Sequence, residues 1–180
     1  MRIRRRLYSE RQIIFVVHYN KLKKQEMDKI IFLDVDGVLN RNAPGEFKET
    51  TYDGCIEVLK ELVSKTGAKI ILSSGWKRFF DDDMRPLNSY GQQLTEDLSK
   101  YGLILSGRTA DFSTEEIVRE KTFDKCKPSE ILDYVHRNDV LTYVVIDDLP
   151  LTGLGKHLYM TDHKTGLIEA DVNKIIDILK

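Results

Sequence analysis

Residues 29–40 read KIIFLDVDGVLN. Ile30 to Leu33 is a short, uninterrupted apolar run of branched and aromatic residues, the composition of a strand covered on both faces rather than one with a wet side. It runs directly into Asp34, with Asp36 one residue further on and Gly37 behind it. A buried strand that ends in two carboxylates predicts a sheet whose strand ends carry chemistry.

Downstream the chain alternates. A Gly- and Asn-containing stretch leads to a helix expected from about Tyr52, with Cys55, Val58, Leu59, Leu62 and Val63 at helical spacing and Gly67 as its stop. KIILSS (69–74) reads as a second buried strand ending in hydroxyls, Leu94 and Leu98 mark a further helix, and LILSG (103–107) a third strand. Pro128 opens a helix with Ile131, Leu132 and Val135 inward, a first-turn position that suits proline. LTYVVIDD (141–148) is the fourth strand and also ends in paired acids; HLYM (157–160) is a candidate fifth. Ile168, Val172, Ile175, Ile176 and Leu179 give the closing helix. Apolar strands alternating with helices predict an α/β domain: a three-layer, Rossmann-like fold on a mainly parallel sheet of about five strands. Ligands of such sheets sit beyond the carboxyl ends of the strands. Asp34 and Asp36, Ser73 and Ser74, and Asp147 and Asp148 all fall there.

The totals set the class. A chain of 180 residues with 41% hydrophobic and 32% charged residues is globular and long enough for one full core. No apolar run reaches the ~18 residues of a membrane span. Cys55 and Cys126 have neither zinc-ligand nor disulfide-scaffold spacing, which fits reduced thiols and a cytoplasmic location. The histidines show no paired spacing for zinc either.

The net charge of −1 hides an asymmetry: residues 1–26 carry eight Lys/Arg against two Glu, a net of +6, which leaves −7 for residues 27–180. An acidic body is not expected to bind nucleic acid nonspecifically, because phosphate contacts need a basic surface. The basic head has an apolar segment of only five residues, Ile13 to Val17, too short for a secretory core, and no cleavage site follows. Two readings stand for it. It is a flexible basic arm, or translation starts at Met27, directly before the first strand. On either reading residues 27–180 form the working domain.

Several carboxylates at neighbouring strand ends repel one another, and a cation relieves them. All-oxygen ligation in a small polar cleft points to Mg2+. A calcium loop does not fit DVDG, because the glycine stands fourth rather than sixth. A carboxylate nucleophile beside a metal and a second carboxylic acid suits phosphoryl transfer. DVDGVLN, ILSS, the lysine of KCKPSEI and VVIDD, in that order, resemble the four motifs of the haloacid dehalogenase (HAD) superfamily, and the resemblance covers about residues 29–180.

That resemblance implies a role for each residue. Asp34 would be the nucleophile that becomes a phosphoaspartate. Asp36 would protonate the leaving group and then activate water. Ser73, helped by backbone amides near Gly37 and Ser74, would bind a phosphoryl oxygen. Lys127 would clamp the phosphoryl group and hold the nucleophile, although Arg119, Lys121 and Lys125 are rivals for that place. Asp147 would bind Mg2+ with the Asp34 carboxylate and the Asp36 carbonyl, and Asp148 is either a further ligand or a capping residue. Trp76 either packs or stacks on a substrate ring.

Only 35 residues separate Gly37 from Ser73 and 53 separate Ser73 from Lys127, so neither gap holds a large cap domain. A capless member resembles an open phosphatase for large substrates such as a nucleic-acid end, with small phosphate esters also admitted. LSSGW and the terminal TGLIEADVNKIIDIL further resemble the small HAD domains of bacterial RNA-repair proteins, with Gly75 and Lys77 where that group suggests Ser and Arg. Two other classes compete. A response-regulator receiver would place its lysine last, after every acid, and here Lys127 precedes Asp147. A non-catalytic HAD-like binding domain is the other, and the intact Asp36 argues against it.

Overall fold

Four apolar runs and the short HLYM segment become strands, and helices join them. In the computed structural model, which describes residues 28–40 and 53–180, the order is β1 (Lys29–Leu33), α1 (Asp53–Thr66), β2 (Lys69–Leu72), α2 (Ser89–Lys100), β3 (Leu105–Arg108), α3 (Glu115–Glu120), α4 (Lys127–Arg137), β4 (Thr142–Asp147), β5 (Leu158–Met160) and α5 (Val172–Ile178). The basic N-terminal extension, residues 1–26, lies outside the described residues.

All strand pairings are parallel, in the order β3-β2-β1-β4-β5. This is the doubly wound order whose chain direction reverses between β1 and β4. Alternate strand residues feed two cores. Ile31, Leu33, Ile70, Leu72, Val144 and Ile146 pack with α1, α2 and α5, while Ile30, Phe32, Ile71, Tyr143 and Val145 pack with Ile131 of α4 and with Leu151 and Leu154. Helices on both faces explain the unbroken apolar strands. No cap domain is present among the described residues.

Besides shifts of one or two residues at other strand ends, three features differ from the sequence reading. The third strand starts at Leu105, not 103, because the Leu103 amide donates to Leu98 O at 3.1 Å and finishes α2. Gly102, at φ +73°, supplies the left-handed residue that such a helix end favours. The closing helix splits: Ile168 stands outside it, its amide bonded to Asp171 Oδ2 at 3.1 Å, and a single 3-10 turn, Glu169–Asp171, precedes α5. The third difference is α3, a helix with no buried residue, capped by the Thr114 hydroxyl and ended by Lys121 at φ +56°.

Candidate active site

The backbone ladder continues past the formal strand ends. Asp34 N donates to Ile146 O at 3.0 Å, Ser73 N to Leu33 O at 2.9 Å and Thr161 N to Asp147 O at 3.0 Å. The residues that follow the apolar runs are therefore held by the same ladder of bonds as the strands. Asp34 directly follows β1 and Asp147 ends β4, adjacent strands at the reversal point, so both carboxylates emerge at the place where this topology opens a crevice. Oxygens of Asp34, Asp147 and Asp148 lie within 4.8 Å of one another. Asp34 and Asp147 are buried and Asp148 is half-buried. Gly37, at φ +76°, has to lack a side chain, since a Cβ there would collide with the Asp148 carboxylate.

The loop after β1 is also held from far along the chain. Thr161 Oγ1 donates to Gly37 O at 2.9 Å, and Leu167 N donates to Val38 O at 2.9 Å.

Lys127 is the first residue of α4, and its ammonium reaches Asp34 Oδ1 at 3.0 Å and Asp147 Oδ2 at 2.8 Å. The rivals lie elsewhere: Lys121 and Lys125 are exposed, and Arg119 pairs with Glu120 on the surface. Burial alone would lower the Lys127 pKa, but Asp34 and then Asp147 outweigh it and hold it above its ordinary value. Burial raises the Asp147 carboxyl most and the Asp34 charge adds to it; Lys127 opposes both, and the group is pushed up to about 7. The same two causes push Asp148 up to about 6. Among the described residues one ammonium thus faces three acids, and two of them resist ionising. Oxygen donors this close, in excess of the available positive charge, fit a small divalent cation.

The Ser73 hydroxyl is fully buried and, among the described residues, has no hydrogen-bond partner. Such a group is rare in a native interior, and where one lines a crevice a bound ligand commonly satisfies it. The Ser74 hydroxyl is committed: it accepts from Trp76 N at 3.3 Å and caps the 3-10 turn Gly75–Phe79. The Gly37 amide donates to Asn40 Oδ1 at 3.0 Å. Asp36 is half-buried and stands outside the three-acid cluster, accepting from Asn40 Nδ2 at 2.8 Å and from Trp76 Nε1 at 2.9 Å.

Sequence reasoning missed two features. Asn40 binds both Asp36 and Gly37, and its place at the end of DVDGVLN was the available signal. Lys77 and Glu130 form a buried ion pair, in which Glu130 Oε1 also accepts from Phe112 N at 2.8 Å. Glu130 lies one turn beyond Lys127 on α4, so the pair fastens that helix to the segment after Ser73. Burial pushes the Cys126 thiol up to about 11.

A doubly wound parallel sheet with this acid cluster at its reversal point defines a HAD-like domain, of a hydrolase superfamily. Residues 30–172 match the family described as "HAD domain in Swiss Army Knife RNA repair proteins", and the chain belongs to that family. No curated protein and no solved structure matches it. No helix among the described residues is long and apolar enough to cross a membrane.

Proposed function

We propose that residues 27–180 form a Mg2+-dependent phosphomonoesterase, working in the cytoplasm, that acts through an aspartyl-phosphate at Asp34. The observation that carries this reading is the Lys127 ammonium shared between Asp34 and Asp147 at the reversal point of the sheet. Asp34, Asp147 and Asp148 would hold the Mg2+ by their carboxylates, and Asp36 by its backbone carbonyl. When bound, the ion supplies positive charge that offsets the acids and the phosphoryl oxygens. Lys127 fixes the Asp34 carboxylate so that an oxygen faces phosphorus. The Asp34 oxygen attacks, the bond from phosphorus to the ester oxygen breaks, and Asp36 gives that oxygen a proton. Asp36, now a carboxylate, takes a proton from the water that attacks the phosphoaspartate, and inorganic phosphate leaves with Asp34 restored. Ser73 donates its hydroxyl to a phosphoryl oxygen.

The family's association with RNA repair, together with the capless crevice, favours a phosphorylated nucleic-acid end as substrate over a small ester. A phosphate-release screen with Mg2+, across nucleotides, sugar phosphates and 3′- or 5′-phosphorylated oligonucleotides, tests both parts. Highest kcat/KM on an oligonucleotide is expected. Turnover confined to small esters would overturn the substrate class, and Mg2+ binding without turnover on any of them would make the domain a binding module.

The raised carboxyls give a second test. The native state keeps protons on Asp147 and Asp148 at pH values where the unfolded chain has lost them. Their contribution to metal-free stability is therefore present at low pH and lost as pH rises through about 6 to about 7. Mg2+ requires the ionised acids, so the rise in Tm that it causes should be larger at about pH 8 than at about pH 5.5. A rise independent of pH would remove these two acids from the metal site.

A further inference from the structure

We propose that Trp76 and Asn40 are positioning residues for Asp36, holding its carboxyl in one orientation with partners that can only donate. The inference rests on the phosphatase reading above and adds to it the device that aims the acid.

Each Asp36 oxygen meets a different buried donor: Oδ1 the Asn40 amide at 2.8 Å and Oδ2 the Trp76 indole at 2.9 Å. Both donors are fixed. The Asn40 Oδ1 is occupied by the Gly37 amide, which settles which end of the side chain faces Asp36. Trp76 sits with 3% exposure against the edges of Phe79 and Tyr90, at centroid distances of 5.6 and 6.4 Å, and its own amide is tied to Ser74 Oγ. The chemistry of the pair is one-sided. An indole N–H cannot accept a proton, and neither can the NH2 of an amide whose oxygen is turned away. A proton carried by Asp36 therefore finds no acceptor in Trp76 or in the Asn40 NH2. Neither partner has to change role when Asp36 later works as a base. This assigns Trp76 a role beyond packing, without any contact to a substrate ring.

Two readouts test it. Trp76 is the single tryptophan of the chain, so intrinsic fluorescence reports its surroundings directly. Asp36→Ala should shift or change the intensity of that emission, whereas Asp34→Asn should leave it unchanged; an emission indifferent to Asp36 overturns the contact, whatever the activity.

For catalysis, Trp76→Phe keeps a ring against Phe79 and Tyr90 but removes the N–H. Its kcat/KM should fall about ten- to a hundredfold on an alkyl phosphate, the loss expected for one hydrogen bond to a charged group. It should fall less than about threefold on p-nitrophenyl phosphate, whose leaving group needs little protonation. In an Asp36→Asn background the same change should add almost nothing. Asn40→Asp, which swaps the second donor for an acceptor of equal shape, should repeat the leaving-group pattern if Trp76→Phe proves unstable. Equal falls on the two esters, or a full additional loss in the Asp36→Asn background, would reduce both residues to structural parts and overturn the proposal. Failure of the wild type on both esters, with the fluorescence response intact, would instead sink the phosphatase reading while leaving the contact standing.

Discussion

Asp34→Asn is expected to lose on the order of 10⁴ or more in phosphate release, as removal of a nucleophile does, and yet to melt no lower than the wild type in metal-free buffer at neutral pH. Asparagine keeps the shape of the side chain, so packing is undisturbed. What changes is charge. Asp34 lies 3.0 Å from the Lys127 ammonium and repels Asp147, whose carboxyl it helps to push up to about 7. Neutralising it leaves Lys127 to Asp147 alone, in a better-matched pair. Function and stability are therefore expected to pull in opposite directions at this position, as at many active sites. Substantial residual turnover would remove Asp34 as nucleophile, and a marked fall in Tm would contradict the crowding of charge described here.

Lys127→Met should act in the reverse sense on stability. It removes the cation that lies between two buried carboxylates and leaves them facing each other. Breaking a buried pair on one side costs about 3–5 kcal/mol, equivalent to a drop in Tm of roughly ten degrees for a domain of this size. The deficit should shrink at low pH, because without the lysine the Asp147 carboxyl rises further and a proton replaces the missing charge. It should also shrink when Mg2+ is added. Phosphate release should fall by at least ~10²-fold, since preorganised positive charge is lost from the crevice. Thermal melts at two pH values, with and without Mg2+, decide the matter. A deficit unaffected by either would mean that Lys127 matters through its packing alone.

How far such a site can be read from sequence depends on what holds each residue. The strands were legible because burial on both faces leaves Ile30 to Leu33 and Tyr143 to Ile146 no polar position. Asp34, Ser73 and Asp147 then stood out as the first polar residues after apolar runs. The choice of Lys127 over Lys121 and Lys125 turns on the helix that begins at Lys127 and aims it inward, a matter of one or two residues that spacing alone leaves open. α3 was not legible, since a helix with no buried residue has no apolar period to show. Nor was the Lys77–Glu130 pair, because two charged residues far apart in sequence read as solvated surface until the fold encloses them both. The bracket around Asp36 joins a loop asparagine to an indole 36 positions further on, and no local pattern encodes that meeting.

The bonds from Thr161 to Gly37 and from Leu167 to Val38 have a consequence in time. Protein synthesis runs from the N-terminus, so the loop after β1 is made more than a hundred residues before the segment that braces it. Contacts this distant form late, because the intervening chain has to be ordered first. β4, which supplies Asp147 and the partner for Asp34 N, also emerges after most of the chain. A nascent chain still short of residue 160 carries Asp34, Asp36 and Ser73 but neither brace for the loop that presents them. The loop that presents Asp34 and Asp36 is therefore expected to gain its two braces only once Leu167 has cleared the ribosome.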